Sequence, residues 1–91
     1  MKTVRIQVAG RVQGVGYRVW AARVAAEIGV RGWVRNRIDG TVEMLVTGPD
    51  HALAAMIEAA HRGPRAARVC EVRVADDQDD GSLGFTAGAT E

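Results

Sequence analysis

Residues 4–28 read VRIQVAGRVQGVGYRVWAARVAAEI, and a change of hydrophobic period within this stretch decides the fold. Its first residues alternate between apolar and polar side chains, with Val4, Ile6 and Val8 on one side, which predicts a half-buried strand. A loop punctuated by glycine follows, and the period then becomes helical. The apolar face of the predicted helix consists of Tyr17, Trp20, Ala21, Val24, Ala25 and Ile28. Gly29 lies where a left-handed residue ends many helices.

Alternation continues downstream of this unit and predicts two further strands that form a hairpin. The second strand covers residues 30–38, and the third covers residues 41–47. Asp39-Gly40 between them is a turn signal. By parity, the face of the second strand that meets the helices carries Val30, Gly32, Val34, Asn36 and Ile38.

A second helix and the C-terminal strands complete the predicted order. Asp50 is the predicted N-cap of this helix, and Gly63-Pro64 ends it. A fourth strand is predicted over residues 67–74, with an irregularity near Val69-Cys70. The remaining segments are an acidic loop at residues 76–80, a weak edge strand at residues 83–87 and a fraying tail at residues 88–91.

The predicted order is β-α-β-β-α-β, and it defines the fold class. Two right-handed crossovers place both helices on one face of an antiparallel sheet of four to five strands, which is the ferredoxin-like α/β sandwich of the α+β class. A chain of 91 residues has the size of one domain, so we predict a single domain over residues 1–91 with about residues 2–87 ordered. This fold hosts many functions and indicates none by itself.

Composition excludes several classes of protein. A single cysteine, Cys70, excludes an internal disulfide and a multi-cysteine metal site, and it is predicted to be a small buried apolar group. His51 and His61 lack metal-ligand spacing and are predicted to lie on the surface. No apolar run is long enough to cross a bilayer, and the charged N-terminal pattern is not that of a signal peptide. We therefore predict a cytoplasmic protein without a membrane partner.

The net charge of +1 hides an uneven distribution of charge along the chain. Residues 1–40 carry eight basic and two acidic side chains, whereas residues 41–91 carry four basic and nine acidic ones. An anion is therefore attracted to the N-terminal part of the chain. Most of these arginines are interpreted as solvated surface charges, so other features have to single out a functional one.

The glycine loop before the first helix is the strongest candidate for an anion site. Gly14 and Gly16 let the backbone turn sharply, and the amides of residues 13–18 lead into a helix N-terminus, where N–H groups lack partners. Arg18 lies in the first helical turn, where a cation is unfavourable by about 0.3–1 kcal/mol. A bound anion reverses that penalty, and a guanidinium grips two phosphate oxygens at once. The alternative is a solvated arginine beside an ordinary glycine loop.

Asn36 is a second unusual residue, because a neutral amide on the helix-facing side of a strand needs hydrogen-bond partners. Its amide accepts from and donates to water, but it is not a strong base. The first two strands are parallel in this topology, so the end of the second strand comes near the glycine loop and Arg18. The alternative is a strand-end asparagine that bonds to its own turn.

Two motifs resemble the signatures of the acylphosphatase family. The first signature, glycine-x-valine-glutamine-glycine-valine-x-aromatic-arginine, is matched by Gly10-Arg11-Val12-Gln13-Gly14-Val15-Gly16-Tyr17-Arg18. The second is matched by Gly32-Trp33-Val34-Arg35-Asn36, followed by Asp39-Gly40, Val42 and Gly48. The resemblance covers about residues 2–87 and keeps the order and spacing of both motifs, which makes it specific.

The resemblance implies hydrolysis of the carboxyl-phosphate bond of small acyl phosphates to a carboxylate and inorganic phosphate, without a metal or cofactor. It implies that Arg18 and Asn36 are the catalytic residues: the arginine binds phosphate and the asparagine positions the attacking water. The phosphate cradle that it implies consists of the backbone amides of Gln13, Gly14, Val15, Gly16, Tyr17 and Arg18. We also predict a monomer without a nucleic-acid partner.

Two other functions remain open at this point. An RNA-binding sheet of the same topology stacks bases on exposed aromatic residues, and Trp33, surrounded by arginines, is the only aromatic residue predicted on the exposed face. The neighbouring arginines are Arg31, Arg35 and Arg37. A regulatory domain would bind a small anion at the glycine loop without hydrolysis. Phosphate release from benzoyl phosphate or acetyl phosphate separates both functions from that of an acylphosphatase.

Overall fold

The computed structural model describes residues 1–91, and its elements follow the predicted order with a short fifth strand at the end. This order confirms the α+β, ferredoxin-like fold. The strands and helices are β1 (Lys2–Arg11), α1 (Tyr17–Ile28), β2 (Arg31–Asn36), β3 (Val42–Gly48), α2 (Asp50–Arg62), β4 (Arg68–Asp77) and β5 (Phe85–Ala87). No helix has the length and apolar character needed to cross a membrane.

The five strands form one sheet in the order β4-β1-β3-β2-β5. β5 pairs with β2 in parallel, so the sheet is mixed, and the prediction of a fully antiparallel sheet is corrected in this detail. Several contacts hold the connection before β5 against β2. Arg31 Nη2 lies 2.7 Å from Asp79 Oδ2, and Trp33 Nε1 donates to Asp80 Oδ2 at 2.9 Å. Arg31 Nη1 also donates to Ser82 O at 2.6 Å. These contacts between distant residues direct the chain back into the sheet beside β2.

The register of the sheet places the end of β2 near the loop that follows β1. Both strands are antiparallel to β3, which lies between them, so they are parallel to each other. Val42 of β3 pairs with Val8 of β1 and with Asn36 of β2. With neighbouring strands about 4.8 Å apart, Asn36 lies roughly 10 Å from Val8 at the same level of the sheet. The expected proximity of Asn36 and the glycine loop follows from this pairing.

α1 has the predicted bounds and packs its apolar face onto the sheet. Gly29 ends it in the left-handed conformation, with φ 92°, and its N–H donates to Ala25 O at 2.8 Å. Tyr17 is 2% exposed, and its hydroxyl donates to Ala60 O of α2 at 2.8 Å. Burial raises the pKa of Tyr17. The first turn of α1 is therefore fixed against α2, and its position relative to the sheet is defined.

α2 begins at Asp50, but this residue is not the N-cap that the sequence predicts. Pro49 occupies the N-cap position in an extended conformation, and its carbonyl accepts from the N–H groups of Ala52 at 2.9 Å and Leu53 at 3.0 Å. Asp50 lies instead in the first helical turn, where its charge is favourable toward the helix dipole. Proline takes the cap position because its fixed φ suits an extended residue before a helix.

β4 contains the predicted irregularity, since the register shifts where Ala9 and Gly10 pair with Glu71 and Val69. Cys70 is the extra residue of this bulge. It is exposed, so the prediction that it is buried was wrong. β4 lies at the edge of the sheet, where a bulge displaces its extra residue from the ladder and few neighbours cover its side chain.

Ile38 was predicted to share the buried face of the second strand, and this prediction was also wrong, because Ile38 is 87% exposed. β2 ends at Asn36, and the chain turns immediately: Arg37 N donates to Thr41 O at 2.8 Å and Gly40 N donates to Arg37 O at 3.1 Å. Side chains alternate between the two faces of a sheet only while the strand is paired. Ile38 lies beyond the end of β2, so this alternation does not predict its position.

Residues 88–91, predicted as a fraying tail, run beside β2 and form hydrogen bonds with it. Gly88 N donates to Val34 O at 2.8 Å, and Glu91 N donates to Asn36 O at 2.9 Å. The C-terminal segment therefore lies against the end of β2 that carries Asn36.

Gly32 of β2 is expected to be one of the least replaceable residues of the fold. Its φ is 138°, and a Cβ atom at this position would collide with the carbonyl oxygen of Leu45 on β3. We expect Gly32→Ala to lower the free energy of unfolding by about 4 kcal/mol or more, because backbone strain and overpacking add. Gly40→Ala is the matched control, since Gly40 has φ 94° with open space around it.

We expect the control to cost only about 1–2 kcal/mol, the strain of a left-handed residue. Urea unfolding followed by circular dichroism measures both variants. Equal losses in the two variants would show that the approach of β3 does not constrain Gly32.

Candidate active site

The loop between β1 and α1 turns by means of two left-handed glycines, Gly14 with φ 72° and Gly16 with φ 78°. A Cβ atom at either position would meet no atom within 4 Å, so backbone conformation rather than space favours glycine here. Gly16 is the N-cap of α1, and no side chain caps this helix. The first turn also contains no acidic residue. The N-terminus of α1 is therefore left open toward the loop.

A continuous series of backbone N–H groups has no partner at this place. None of the N–H groups from Gln13 to Val19 forms a backbone hydrogen bond, and the first helical bond runs from Trp20 N to Gly16 O at 3.1 Å. Unpaired donors at a turn and a helix N-terminus attract an anion. The loop therefore has the hydrogen-bonding character of an anion cradle.

Five of these residues, Gly14, Gly16, Tyr17, Arg18 and Val19, line a hollow of about 120 Å³. A water molecule occupies roughly 30 Å³ in the liquid, so the hollow has room for a small anion with several atoms. It brings together Arg18 and Asn36, whereas Gln13 and Val15 of the predicted cradle do not line it. The lining residues are Val12, Gly14, Gly16, Tyr17, Arg18, Val19 and Asn36. None of them is acidic, so the lining has a positive charge.

Arg18 supplies the only basic side chain in the lining of the hollow. The side chain is partly buried, and its Nη1 donates to the backbone oxygen of Gly88 at 2.8 Å. This partner is a neutral carbonyl rather than a carboxylate, so the positive charge of Arg18 remains available to an anion. No local sequence pattern indicates that Gly88 contacts Arg18, because the two residues are 70 positions apart.

Asn36 is buried in the wall of the hollow, with 9% of its surface exposed. Its Oδ1 is buried and has no hydrogen-bond partner. The alternative that it bonds to its own turn does not hold, since Asp39 Oδ1 accepts from Thr41 N in that turn at 3.0 Å. An unpaired buried acceptor costs about 1–3 kcal/mol. A donor group that reaches this oxygen from the hollow would remove this cost.

Gln13 has a structural role that the sequence does not predict. Its Nε2 donates to two carbonyl oxygens of the β2–β3 turn, at 2.7 Å to Arg37 O and at 2.9 Å to Thr41 O. The side chain therefore fixes the glycine loop relative to the strand that carries Asn36. The family resemblance implies a role only for the backbone amide of Gln13, as part of the cradle.

We expect Gln13→Ala to weaken the binding of inorganic phosphate about 10-fold, because a loop that loses its anchor presents its amides less accurately. Loss of two hydrogen bonds should also lower the free energy of unfolding by about 1–2 kcal/mol. Phosphate titration and urea unfolding measure the two effects. The matched control is Gln7→Ala, which changes a glutamine of β1 that lies outside the hollow. Wild-type phosphate affinity in the Gln13 variant would contradict this role.

A larger hollow of about 250 Å³ lies elsewhere, and we do not assign the anion site to it. Its only basic residue is Arg73, whose Nε lies 3.1 Å from Glu71 Oε2 in an ion pair. Its lining residues are Gln7, Ala9, Asp39, Thr41, Glu71 and Arg73. The two carboxylates of this lining make it a poor place for a phosphate group.

The fold and the hollow together define a small α+β protein with an anion-binding loop at the start of its first helix. A family model described as acylphosphatase matches residues 4–87. The chain therefore belongs to the acylphosphatase family, and its function is that of these hydrolases, which act on acid anhydrides.

Individual relatives and a solved structure agree with the family model. The chain is 46% identical over 86 residues to an acylphosphatase of Rhodospirillum rubrum, with 94% of each protein covered. It is 47% identical over 87 residues to an acylphosphatase of Thermococcus kodakarensis, with 93% of this chain and 96% of that protein covered. The crystal structure of acylphosphatase from Bacillus subtilis matches with a TM-score of 0.92 at 38% identity, over 97% of this chain and 99% of that one. The predicted family and function are confirmed.

Proposed function

We propose that the hollow binds the phosphoryl group of a small acyl phosphate and that the protein releases a carboxylate and inorganic phosphate. The observation that carries the proposal is the series of unpaired N–H groups from Gln13 to Val19 beside the guanidinium of Arg18. The roles of the residues follow from their chemistry: the amides of residues 13–18 and Arg18 hold the phosphoryl oxygens, and Asn36 holds the attacking water.

Arg18 and the amides stabilise charge that develops during transfer. The transition state of phosphoryl transfer spreads negative charge over the three equatorial oxygens, and catalysis depends on positioning and on fixed positive charge. Donors that are already in place need no reorganisation during the reaction. A carboxylate is a good leaving group, so the site needs no strong general acid. The lining, which contains no carboxylate, imidazole or thiol, agrees with this requirement.

Asn36 orients the water that attacks phosphorus. Its Oδ1 accepts a hydrogen bond from the water, and this leaves a lone pair of the water oxygen free to attack. The water oxygen forms a bond to phosphorus while the bond from phosphorus to the carboxylate oxygen breaks. Asn36 is not a base, so the proton of the water passes to a phosphoryl oxygen of the substrate. The products are the carboxylate and inorganic phosphate.

The outer face of the sheet supports this function over RNA binding. The ring of Trp33 is covered by Arg35, whose guanidinium carbon lies 4.5 Å from the ring centroid, and its Nε1 is bound to Asp80. Arg35 is in turn ion-paired with Glu43 at 2.8 Å. Hydrogen bonds from Ser82 and Trp33 lower the pKa of Asp80, so its charge persists at neutral pH. The aromatic ring and the charges that would hold RNA are thus engaged within the protein.

We expect the purified protein to release inorganic phosphate from benzoyl phosphate and from acetyl phosphate, and to keep its full rate in excess EDTA. Arg18 and the amides supply the positive charge that a metal would otherwise bring, which is the reason for the expected chelator resistance. Loss of activity in EDTA with recovery on adding magnesium would contradict the proposed electrostatics. Phosphate binding without turnover would identify a regulatory domain instead. We propose that a monomer of this single domain is active, because one copy of the chain by itself places both Arg18 and Asn36 in the lining of the hollow.

A further inference from the structure

Val19 is an unusual residue in the lining of the hollow. It is the third residue of α1, directly after Arg18, and it is 75% exposed. The other two apolar side chains of the lining, those of Val12 and Tyr17, are 1% and 2% exposed and belong to the core. Val19 therefore provides the one apolar side chain at the hollow that a ligand can still cover.

The geometry of the reaction indicates which part of a ligand covers Val19. The attacking and leaving oxygens lie roughly in line through phosphorus, so the acyl group leaves on the side away from the water. The water is held by Asn36 at the end of β2, whereas Val19 lies on α1. Val12 and Tyr17 are buried in the core and offer little surface to a ligand, so the acyl group extends toward the exposed part of the lining, where Val19 lies.

We infer that Val19 is a specificity-determining residue, and this inference rests on the proposed function. The side chain of Val19 contacts the acyl group of the substrate and favours acyl phosphates whose acyl part is uncharged and apolar. No lining residue other than Arg18 carries a charge, and Arg18 is assigned to the phosphoryl group. Covering an exposed valine with an apolar group removes apolar surface of both partners from water, whereas a small acyl group covers little of it. Discrimination between large and small acyl groups is therefore a property of Val19.

The test compares kcat/KM for benzoyl phosphate and acetyl phosphate in variants of Val19. We expect Val19→Ser to lower the benzoyl-to-acetyl ratio of kcat/KM about 3- to 10-fold, because an apolar contact of this size contributes a modest discrimination. Val19→Ile should keep or raise the ratio. Inhibition by inorganic phosphate should change much less than this ratio, because both variants keep the backbone N–H of residue 19 and phosphate lacks an acyl group. Leu83→Ser is the matched control, because Leu83 is 95% exposed and does not line the hollow.

The possible results separate the role of Val19 from the proposed function. A wild-type ratio in a folded Val19→Ser variant, or equal losses for both substrates, would overturn the role of Val19 while leaving the proposed function intact. Absence of phosphate release from both substrates in the wild-type protein would overturn the proposed function and the inference together. If the serine variant fails to fold, the benzoyl-to-acetyl ratio of kcat/KM is measured in Val19→Thr instead, which keeps the branched shape and adds a hydroxyl.

Discussion

Replacement of Arg18 by alanine is expected to lower kcat/KM for benzoyl phosphate by about 10³- to 10⁵-fold, the range for loss of an arginine that stabilises phosphoryl transfer. The effect is large because Arg18 is the only basic residue in the lining of the hollow. Inorganic phosphate should bind much more weakly for the same reason. Steady-state kinetics and inhibition by phosphate measure both effects.

Arg18→Lys is the control that separates charge from geometry. A lysine keeps the charge but loses the planar fork, and one ammonium cannot bond to Gly88 O and grip two phosphoryl oxygens as a guanidinium does. We expect activity between those of the wild type and the alanine variant. Circular dichroism should show both variants folded, since Arg18 is only partly buried. Near-wild-type kinetics in a folded Arg18→Ala variant would remove Arg18 from the mechanism.

Replacement of Asn36 by alanine is expected to lower kcat about 10²-fold while phosphate inhibition stays within about twofold of the wild type, because Asn36 positions water rather than phosphate. The free energy of unfolding of this variant should fall much less than its kcat does. The substitution removes a buried oxygen that has no partner, which offsets the loss of packing. We therefore expect a variant of strongly reduced activity with a melting temperature close to, or above, that of the wild type.

Asn36→Asp is the matched control for this result. It keeps the size of the side chain but places a carboxylate in the hollow, where it repels the phosphoryl group. We expect this variant to lose phosphate binding as well as turnover, unlike the alanine variant. Equal loss of phosphate affinity in Asn36→Ala would assign Asn36 to the cradle and leave the attacking water without the partner that we propose.

The parts of the fold that local chemistry determines were predictable. The change of period within residues 4–28, ended by Gly29, placed α1 at its observed bounds, because each signal acts within a few residues. The parallel relation of β1 and β2 follows from the crossover rule, and it brings Asn36 to the glycine loop. The positions of Arg18 and Asn36 at one hollow were predictable for this reason.

Features that depend on contacts between distant residues were not predictable from patterns. The parallel pairing of β5 depends on Asp79 and Asp80, which bind residues of β2 that lie 47 or 48 positions away. The contact of Arg18 with Gly88 spans 70 positions, and nothing in the local sequence near Gly88 indicates it. Cys70 was misjudged because its exposure is set by the edge position of β4, which periodicity does not report.

We propose that the unpaired amides of the glycine loop and Arg18 form a preassembled site for a tetrahedral anion. The most direct measurement is a titration of the ¹⁵N-labelled protein with inorganic phosphate, followed by amide chemical shifts. We expect saturable shifts at the amides of residues 13–19 and at the guanidinium of Arg18, with the outer-face residues unchanged. Shifts confined to other residues, or no shifts at phosphate concentrations that inhibit turnover, would show that the anion does not bind at the glycine loop.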